Sequence, residues 1–162
     1  IFKKRNNNDI KLLIVGSKRW WTEPIKNAYE AMTHKDDVIF AGRLSAEDLQ
    51  FVTASALASV YVSYFEGFGI PIVEAFKCDT PVITSNVTSM PEVANDAALL
   101  VDPFKEESIA DAMEKILDEE VRNDLIEKGR IRRQDFSWDK AAEIWWKVLE
   151  SQSNKDTKTQ RF

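Results

Sequence analysis

Glu66 and Glu74 are separated by seven residues that include two glycines and a proline. A short apolar, β-branched run at residues 58–62 precedes them and predicts a buried strand. Residues 72–77 predict a helix. Glycine permits positive φ or close approach of a ligand to the backbone, and proline is favoured in the first turn of a helix. The pattern therefore predicts a strand, a glycine turn and a helix N-terminus, with one carboxylate on each side of the turn.

This arrangement suits the binding of a phosphate or a sugar. The free N–H groups at the start of a helix, together with the helix dipole, favour anionic or hydroxyl oxygens. We expect Glu66 at the carboxyl end of its strand, where open α/β sheets bind ligands. Glu74, one turn into the helix, can accept both hydrogen bonds of a vicinal diol such as a ribose. The same spacing also fits an ordinary strand–turn–helix unit with two solvated glutamates, and two carboxylates also suggest a glycoside hydrolase pair.

The composition restricts the class of protein. The length of 162 residues fits one domain or slightly more, and a net charge of −5 gives no electrostatic reason to expect nucleic acid as a partner. The single cysteine, Cys78, excludes an internal disulfide framework and fits a cytoplasmic location. No apolar run approaches the ~18 residues that cross a bilayer, so any membrane contact is expected to be peripheral. The single histidine and the spacing of the acidic residues predict no metal site.

Short apolar runs alternate with helical patterns along the chain. The predicted strands are residues 12–15, 38–41, 58–62, 81–84 and 98–101. Five strands that alternate with helices imply an α/β fold with a doubly wound, Rossmann-like parallel sheet. We assign residues 1–150 to this domain and expect the polar segment 151–162 to be disordered. Gly129 predicts a break or an end in the helical region that follows the last strand.

Other residues near predicted strand ends are candidates for a site. Gly16 follows the first strand, and Arg43 follows the second, just before the serine-capped helix start at Ser45. Arg43 fits either a ligand contact or a surface salt bridge. We expect the adjacent Trp20 and Trp21 to pack in the core or under a lid rather than to stack on a base. A second tryptophan pair, at residues 145–146, lies among charges of both signs, which favours packing against a partner domain over a membrane surface.

The stretch from residue 63 to residue 76 resembles the two-glutamate signature of the retaining GT-B glycosyltransferases, family four in particular. The resemblance continues in the family's order through residues 77–86, 90–93, 96–103 and 135–138, and extends over residues 12–149. It implies the carboxyl-terminal, nucleotide-sugar-binding domain of a mannosyltransferase-like enzyme. Such an enzyme transfers a sugar from a nucleoside diphosphate donor to an acceptor hydroxyl, keeps the anomeric configuration, and needs no cofactor or metal ion.

The resemblance also implies roles for individual residues. Glu66 lies beside the donor sugar and positions it or stabilises developing positive charge, and Glu74 holds the ribose hydroxyls. The backbone N–H groups that meet the sugar hydroxyls and the phosphates are those of Gly67, Phe68, Gly69 and Ile70. The residues that lie near the nucleotide are Gly16, Arg43 and Leu44. The polar loop at residues 85–89 either contacts the donor sugar or caps the helix that begins at Pro91.

Two parts of the family pattern are missing from the sequence. One is the amino-terminal domain that reads the sugar or glycan acceptor. The other is the first β-α unit of this domain, which carries an Arg and Lys pair for the pyrophosphate; Lys18 and Arg19 follow the wrong strand to be that pair. The chain alone is therefore expected to bind nucleotide weakly and to transfer little or no sugar. The remaining alternatives are a non-catalytic nucleotide-sugar-binding module and another GT-B-like enzyme, an epimerase or a phosphorylase.

Overall fold

The computed structural model describes residues 1–6, 8–17 and 21–159. The strands are β1 (Leu12–Val15), β2 (Val38–Gly42), β3 (Ser59–Tyr61), β4 (Val82–Ser85) and β5 (Ala98–Val101). The helices are α1 (Phe2–Arg5), α2 (Glu23–Glu30), α3 (Ala46–Ser55), α4 (Ile70–Lys77), α5 (Met90–Ala94), α6 (Glu106–Lys115), α7 (Glu119–Arg132) and α8 (Trp138–Thr159). Lys18, Arg19 and Trp20 lie outside the described residues.

All strand pairs in the described residues are parallel, as expected from the alternation of strands and helices. The strands form two sheets rather than the one sheet expected: β1 pairs with β2, and β4 lies between β3 and β5. In the described part of the chain, β1 and β3 share no backbone hydrogen bonds, so the two sheets are separate. The α/β class, the five parallel strands and the Rossmann-like arrangement are confirmed, and the single continuous sheet is wrong for the described residues.

The core is built on both faces of β4, whose four residues are all buried. Val82 contacts a cluster formed mainly by α4 and α5, with Ile72, Phe76 and Met90 fully enclosed. Ile83 points to the opposite face and packs in a second cluster from α6 and α7. The alternation along β4 therefore fixes helices on both faces of the three-stranded sheet.

Three arginines near the end of α7 hold the carboxyl ends of α4 and α5. Arg133 donates to the carbonyl oxygen of Phe76 at 3.1 Å, and Arg132 donates to the carbonyl oxygens of Glu92 and Val93 at 2.7 and 3.0 Å. Arg130 and Arg133 both pair with Asp79, at 2.9 and 2.8 Å. The hydrogen bond from Arg130 is the main reason why the pKa of Asp79 is lowered. Guanidinium groups at helix carboxyl ends are favourable because the last carbonyl groups lack partners within the helix.

Gly129 does not break a helix, which corrects the expectation from the sequence. α7 continues through it to Arg132. A Cβ atom at this position would lie 3.0 Å from Cδ1 of Phe76, so the glycine allows α7 to approach α4 closely. Replacement of Gly129 by valine is expected to destabilise the protein by about 1–3 kcal/mol, since a packed core resists added volume.

Chemical denaturation of G129V and of N123V measures this effect. Asn123 lies on the exposed side of the same helix, so the second variant introduces the same β-branched residue without core contact. Equal free energies of unfolding for the two variants would show that Gly129 has no packing role.

Differences from the predicted elements are otherwise small. Trp21 packs edge to face against Tyr29 and Phe40, and all three rings are half-buried outside the two core clusters. The backbone of residues 151–159 continues α8, since no glycine or proline interrupts the helix after Trp138; disorder of the segment 151–162 stays a prediction. Among the described residues, none of the helices combines the length and the apolar character needed to cross a bilayer.

Asp37 joins the amino-terminal segments through two lysines. It pairs with Lys3 at 2.7 Å and also with Lys11. Hydrogen bonds from Lys11 and then from Lys3 lower its pKa to about 2, from an ordinary value of 3.8. Because the folded-state pKa is the lower one, the ionised carboxylate stabilises the fold above the ordinary value, and this contribution is lost as the pH falls towards about 2.

We therefore expect D37N to unfold at a temperature that depends less on pH between about pH 4 and pH 2 than that of the unaltered protein. Thermal unfolding over this range, followed by circular dichroism, measures the difference. The matched control is D36N, because Asp36 forms no ion pair with a described residue. A pH dependence that is identical in D37N and in the unaltered protein would contradict the role of Asp37.

Candidate functional site

The carboxylate of Glu66 is held at the carboxyl end of β3. Oε1 accepts hydrogen bonds from the hydroxyl of Tyr61 and, at 3.1 Å, from the hydroxyl of Ser63. Burial raises the pKa of Tyr61, and the hydrogen bond to Glu66 raises this pKa further. Both donors bind the same oxygen, so Oε2 has no hydrogen-bond partner among the described residues and is available to a ligand.

The loop after β4 supports the backbone around Glu66. The hydroxyl of Ser89 donates to the carbonyl oxygens of Glu66 and Phe68 at 2.9 and 3.0 Å. Thr88 accepts the N–H of Glu66 at 3.3 Å and has positive φ, 56°. Ser89 makes no side-chain capping bond to α5, so the expectation that this loop caps the helix is wrong for Ser89. Its hydroxyl instead fixes the Glu66 turn.

Four backbone N–H groups follow Glu66 without a protein acceptor. Gly69 has φ 104° and ψ 50°, a left-handed conformation, and Ile72 is the first residue of α4 whose N–H bonds back to the turn, at 3.0 Å to the carbonyl oxygen of Gly69. In the described part of the chain, no hydrogen bond is donated by the N–H groups of residues 67–70. Pro71 supplies no N–H at all. Unpaired N–H groups at the start of a helix form an anion- or hydroxyl-binding position.

Glu74 lies on the exposed side of α4. No hydrogen bond or ion pair with a described residue occupies its carboxylate. Glu74, Gly16, Arg43 and Leu44 all border one large groove. Arg43 forms no ion pair with a described acidic residue. Among the described residues, the alternative of a surface salt bridge at Arg43 is therefore not supported. Gly16 and Gly42 end their strands with positive φ, 128° and 70°.

Glu66 itself does not line this groove, although its hydrogen-bond donor Tyr61 does. None of the groove's lining residues belongs to the range 66–70, although Pro71 and Glu74 of the same helix do. The side chains of Phe68 and Ile70 are about half exposed, and Phe68 contacts the ring of Phe136 edge to face at 5.7 Å. α4 therefore connects two neighbouring positions: one at its N-terminus beside Glu66, and one a turn later beside Glu74.

Sequence reasoning missed the residues that hold Glu66 in place. Tyr61 was part of a strand in which only burial was expected, although its spacing of five residues from Glu66 is visible in the sequence. The spacing of Thr88 and Ser89 gives no comparable signal, because their contact with Glu66 depends on the pairing of β3 with β4. Among the described residues, no group of three or more acidic, histidine or cysteine side chains is arranged to hold a metal ion.

Comparison with protein families gives one match that covers most of the chain. Residues 1–132 match the family described as "Glycosyl transferases group 1". The O-antigen chain mannosyltransferase B of Escherichia coli is 36% identical over 129 residues, which are 79% of this chain and 34% of that protein. The MMP alpha-(1->4)-mannosyltransferase of Mycolicibacterium hassiacum is 30% identical over 148 residues, 88% of this chain and 36% of that protein.

Solved structures show the same fold. Sucrose-phosphate synthase of Thermosynechococcus elongatus superimposes with a TM-score of 0.73 at 28% identity, over 87% of this chain and 39% of that one. Anabaena Alr3699/HepE in complex with UDP and glucose gives a TM-score of 0.76 at 19% identity, over 87% of this chain and 40% of that one. The chain thus spans about a third of the length of the curated relatives it matches. Because the family match covers residues 1–132, most of the chain, the chain belongs to the group 1 glycosyltransferases.

Proposed function

We propose that the chain is the donor-binding domain of a longer, retaining glycosyltransferase. That enzyme moves a hexose from a nucleoside diphosphate sugar to an acceptor hydroxyl. The observation that carries the proposal is the Glu66 turn. Tyr61 and Ser63 hold one oxygen of the carboxylate, and among the described residues the other oxygen and four consecutive N–H groups beside it have no partner. A donor sugar presents hydroxyls and phosphate oxygens that match these groups.

The relatives support the class of reaction. Mannosyltransferases from two organisms are among the relatives that match at 30% identity or more, so we propose a mannosyl-type transfer. A protein of the same fold was crystallised with UDP-glucose, which supports a nucleotide sugar as the donor class. A glycoside hydrolase pair is less favourable, since Glu66 lies in the turn before α4, beside N–H groups of the kind that bind phosphate, and Glu74 lies on α4 itself.

In this proposal Glu66 acts at the reacting sugar. Its free oxygen positions a sugar hydroxyl or stabilises positive charge at the anomeric carbon as the nucleotide departs. The hydrogen bonds from Tyr61 and Ser63 fix the carboxylate before the donor binds, so little reorganisation is needed during the reaction. The N–H groups of residues 67–70 stabilise the negative charge that grows on the leaving phosphate.

Glu74 is proposed to hold the ribose. We expect E74Q in the longer protein to weaken the binding of the matching nucleoside diphosphate by about 10- to 100-fold, because hydrogen bonds to a charged acceptor contribute roughly 1.5–3 kcal/mol. Calorimetric titration measures this affinity. The matched control is E92Q, since Glu92 is an exposed acidic residue in the first turn of another helix, α5. Equal affinities for E74Q and the unaltered protein would remove Glu74 from the nucleotide site.

A transfer assay with the longer protein tests the proposed function. The protein is incubated with a labelled nucleotide sugar and a glycan acceptor, and the anomeric configuration of the product is read by NMR. A glycoside with retained configuration supports the proposal. An isomerised nucleotide sugar identifies an epimerase, and a sugar phosphate formed from a glycan and phosphate identifies a phosphorylase. Donor binding without any product in this assay identifies a non-catalytic module.

Three further parts of the proposal have their own readouts. The acceptor is bound by a domain outside residues 1–162, so these residues alone are expected to transfer little or no sugar.

No metal ion is required, so saturating EDTA is expected to leave the rate of transfer unchanged. The place of action is proposed to be the cytoplasm, where nucleotide sugars are the expected donors, and fractionation of cells that express the longer protein tests this.

A further inference from the structure

Two exposed aromatic rings stack on each other near the Glu66 turn. Tyr64 follows β3 and Phe104 follows β5, and their rings are nearly parallel, with an interplanar angle of 13° and centroids 4.9 Å apart. The two residues are 66% and 72% exposed. Because β4 lies between β3 and β5, the ring pair joins the loops on either side of β4. Adjoining apolar groups that are left exposed mark a binding surface.

Hydrogen bonds hold the backbone next to each of the two rings. The hydroxyl of Ser85 donates to the carbonyl oxygen of Ser63 at 2.6 Å, directly before Tyr64. The N–H of Phe104 donates to Oδ1 of Asp102 at 3.0 Å. The two loops are therefore positioned before a ligand binds, which lowers the entropic cost of binding.

The ring pair takes little part in the packing of the fold. Neither Tyr64 nor Phe104 belongs to one of the two core clusters or packs against them. In the part of the chain that the structure describes, the hydroxyl of Tyr64 has no hydrogen-bond partner, although the hydroxyl of a tyrosine usually finds one when the ring is covered. The outer faces of the rings and this hydroxyl are therefore available to a ligand.

The ring pair lies beside the carboxylate that is proposed to act on the donor sugar. Tyr64 is two residues before Glu66, so their Cα atoms are at most about 7 Å apart. Ser63, whose hydroxyl donates to Glu66 at 3.1 Å, directly precedes Tyr64. Neither Tyr64 nor Phe104 lines the groove around Glu74. A ligand on the ring pair is therefore next to the proposed position of the donor sugar and outside the proposed nucleotide groove.

The chemical groups around the ring pair suit a sugar. One face of a hexose ring presents C–H groups, which are attracted to the negative face of an aromatic ring. The hydroxyl of Tyr64 can donate a hydrogen bond to a sugar hydroxyl and accept one from it. Asn86 follows β4, between the two loops; it is exposed, and its side-chain amide has no hydrogen-bond partner among the described residues. A lipid chain or an apolar helix would cover these polar groups without pairing them, which is unfavourable.

We propose that Tyr64 and Phe104 form a subsite for the terminal sugar of the glycan acceptor, which stacks on the ring pair beside the donor sugar at Glu66. This inference rests on the proposed function, because the transfer reaction defines the acceptor. The main acceptor-binding domain is still proposed to lie outside residues 1–162. The subsite adds a contact from the donor-binding domain and favours acceptors that present a sugar ring, rather than water or a simple alcohol.

Steady-state kinetics of the longer protein, with variants matched by position, test the proposal. The acceptor probes are free trisaccharides that end in mannose, galactose or N-acetylglucosamine, and the one that the unaltered protein uses best is chosen. F104L and Y64L keep an apolar side chain without an aromatic face, whereas F104Y keeps the ring. We expect F104L and Y64L to raise the KM for the trisaccharide about tenfold, and F104Y to change it less than about threefold. Equal KM values for F104L, F104Y and the unaltered protein would overturn the proposal.

The value of kcat and the KM for the donor separate this subsite from other roles of the ring pair. Both positions are exposed, so the variants are expected to fold, and both values are expected to stay within about threefold of the unaltered protein. A fall in kcat with an unchanged acceptor KM would assign the rings to packing against another domain and overturn the proposal. A rise in KM with a lipid-linked trisaccharide alone would assign them to a lipid and also overturn it. If the unaltered protein forms no glycoside with any of the acceptors, the proposed function itself is contradicted, and the subsite with it.

Discussion

Replacement of Glu66 by glutamine in the longer protein is expected to lower kcat by about 100- to 1000-fold, the usual effect of removing one preorganised electrostatic group from an active site. Glutamine keeps the size of the side chain and one acceptor oxygen, so the hydrogen bonds from Tyr61 and Ser63 are largely retained. The negative charge beside the anomeric carbon is lost. Steady-state transfer kinetics with the matching donor measure this effect.

The control for E66Q is donor affinity. Because the nucleotide is proposed to be held by Glu74 and by the N–H groups of residues 67–70, the dissociation constant of E66Q for the nucleoside diphosphate is expected to stay within about threefold of the unaltered protein. Y61F adds a graded test, since it removes one donor to Glu66 and leaves the charge in place. It is expected to lower kcat less than E66Q. A fully active E66Q would exclude Glu66 from the chemistry.

Replacement of Phe76 by alanine is expected to cost about 3–5 kcal/mol of stability, the usual range for a large aromatic side chain removed from a core. Phe76 is 2% exposed and packs in the cluster under α4 and α5. Its ring lies against α7 at Gly129, where the lack of a side chain makes room for it. A cavity at this point would loosen the helix that carries both candidate positions, so nucleotide binding is expected to weaken as well.

Urea unfolding of F76A and of F104A provides the comparison. Phe104 is the same residue type at 72% exposure, and its ring stacks on the exposed Tyr64, at 4.9 Å. Its replacement is expected to cost less than about 1 kcal/mol. A loss of less than about 1 kcal/mol in F76A would show that the region between α4 and α7 is not a closely packed core.

Patterns in short stretches of the sequence predicted several strands, one helix cap and one helix start. The apolar runs that became β1, β4 and β5 were visible because strands of parallel sheets are nearly continuous apolar segments, although only β4 is fully buried and β1 is largely exposed, contrary to expectation. Ser45 was recognised as a helix cap, and its hydroxyl accepts the N–H of Asp48 at 3.0 Å. The start of α4 followed from its glycine and proline.

Features that depend on distant contacts were not predictable in the same way. Gly129 looked like a helix end because a glycine has the same local effect whether it ends a helix or admits a neighbouring ring. Only the packing of Phe76 distinguishes the two. The support of Glu66 by Ser89 depends likewise on the register of β3 with β4. The division into two sheets depends on which strands have neighbours, and periodicity within single segments does not show this.

Hydrogen–deuterium exchange of the longer protein, with and without a saturating nucleoside diphosphate chosen from uridine, guanosine and adenosine forms, tests the central claim most directly. We expect the matching nucleotide to slow exchange in peptides that cover the Glu66 turn with α4 and the end of β2 at Arg43 and Leu44. Peptides from α7 are expected to be unchanged. Slower exchange elsewhere in the protein, with both of these segments unaffected, would contradict a donor site at this edge.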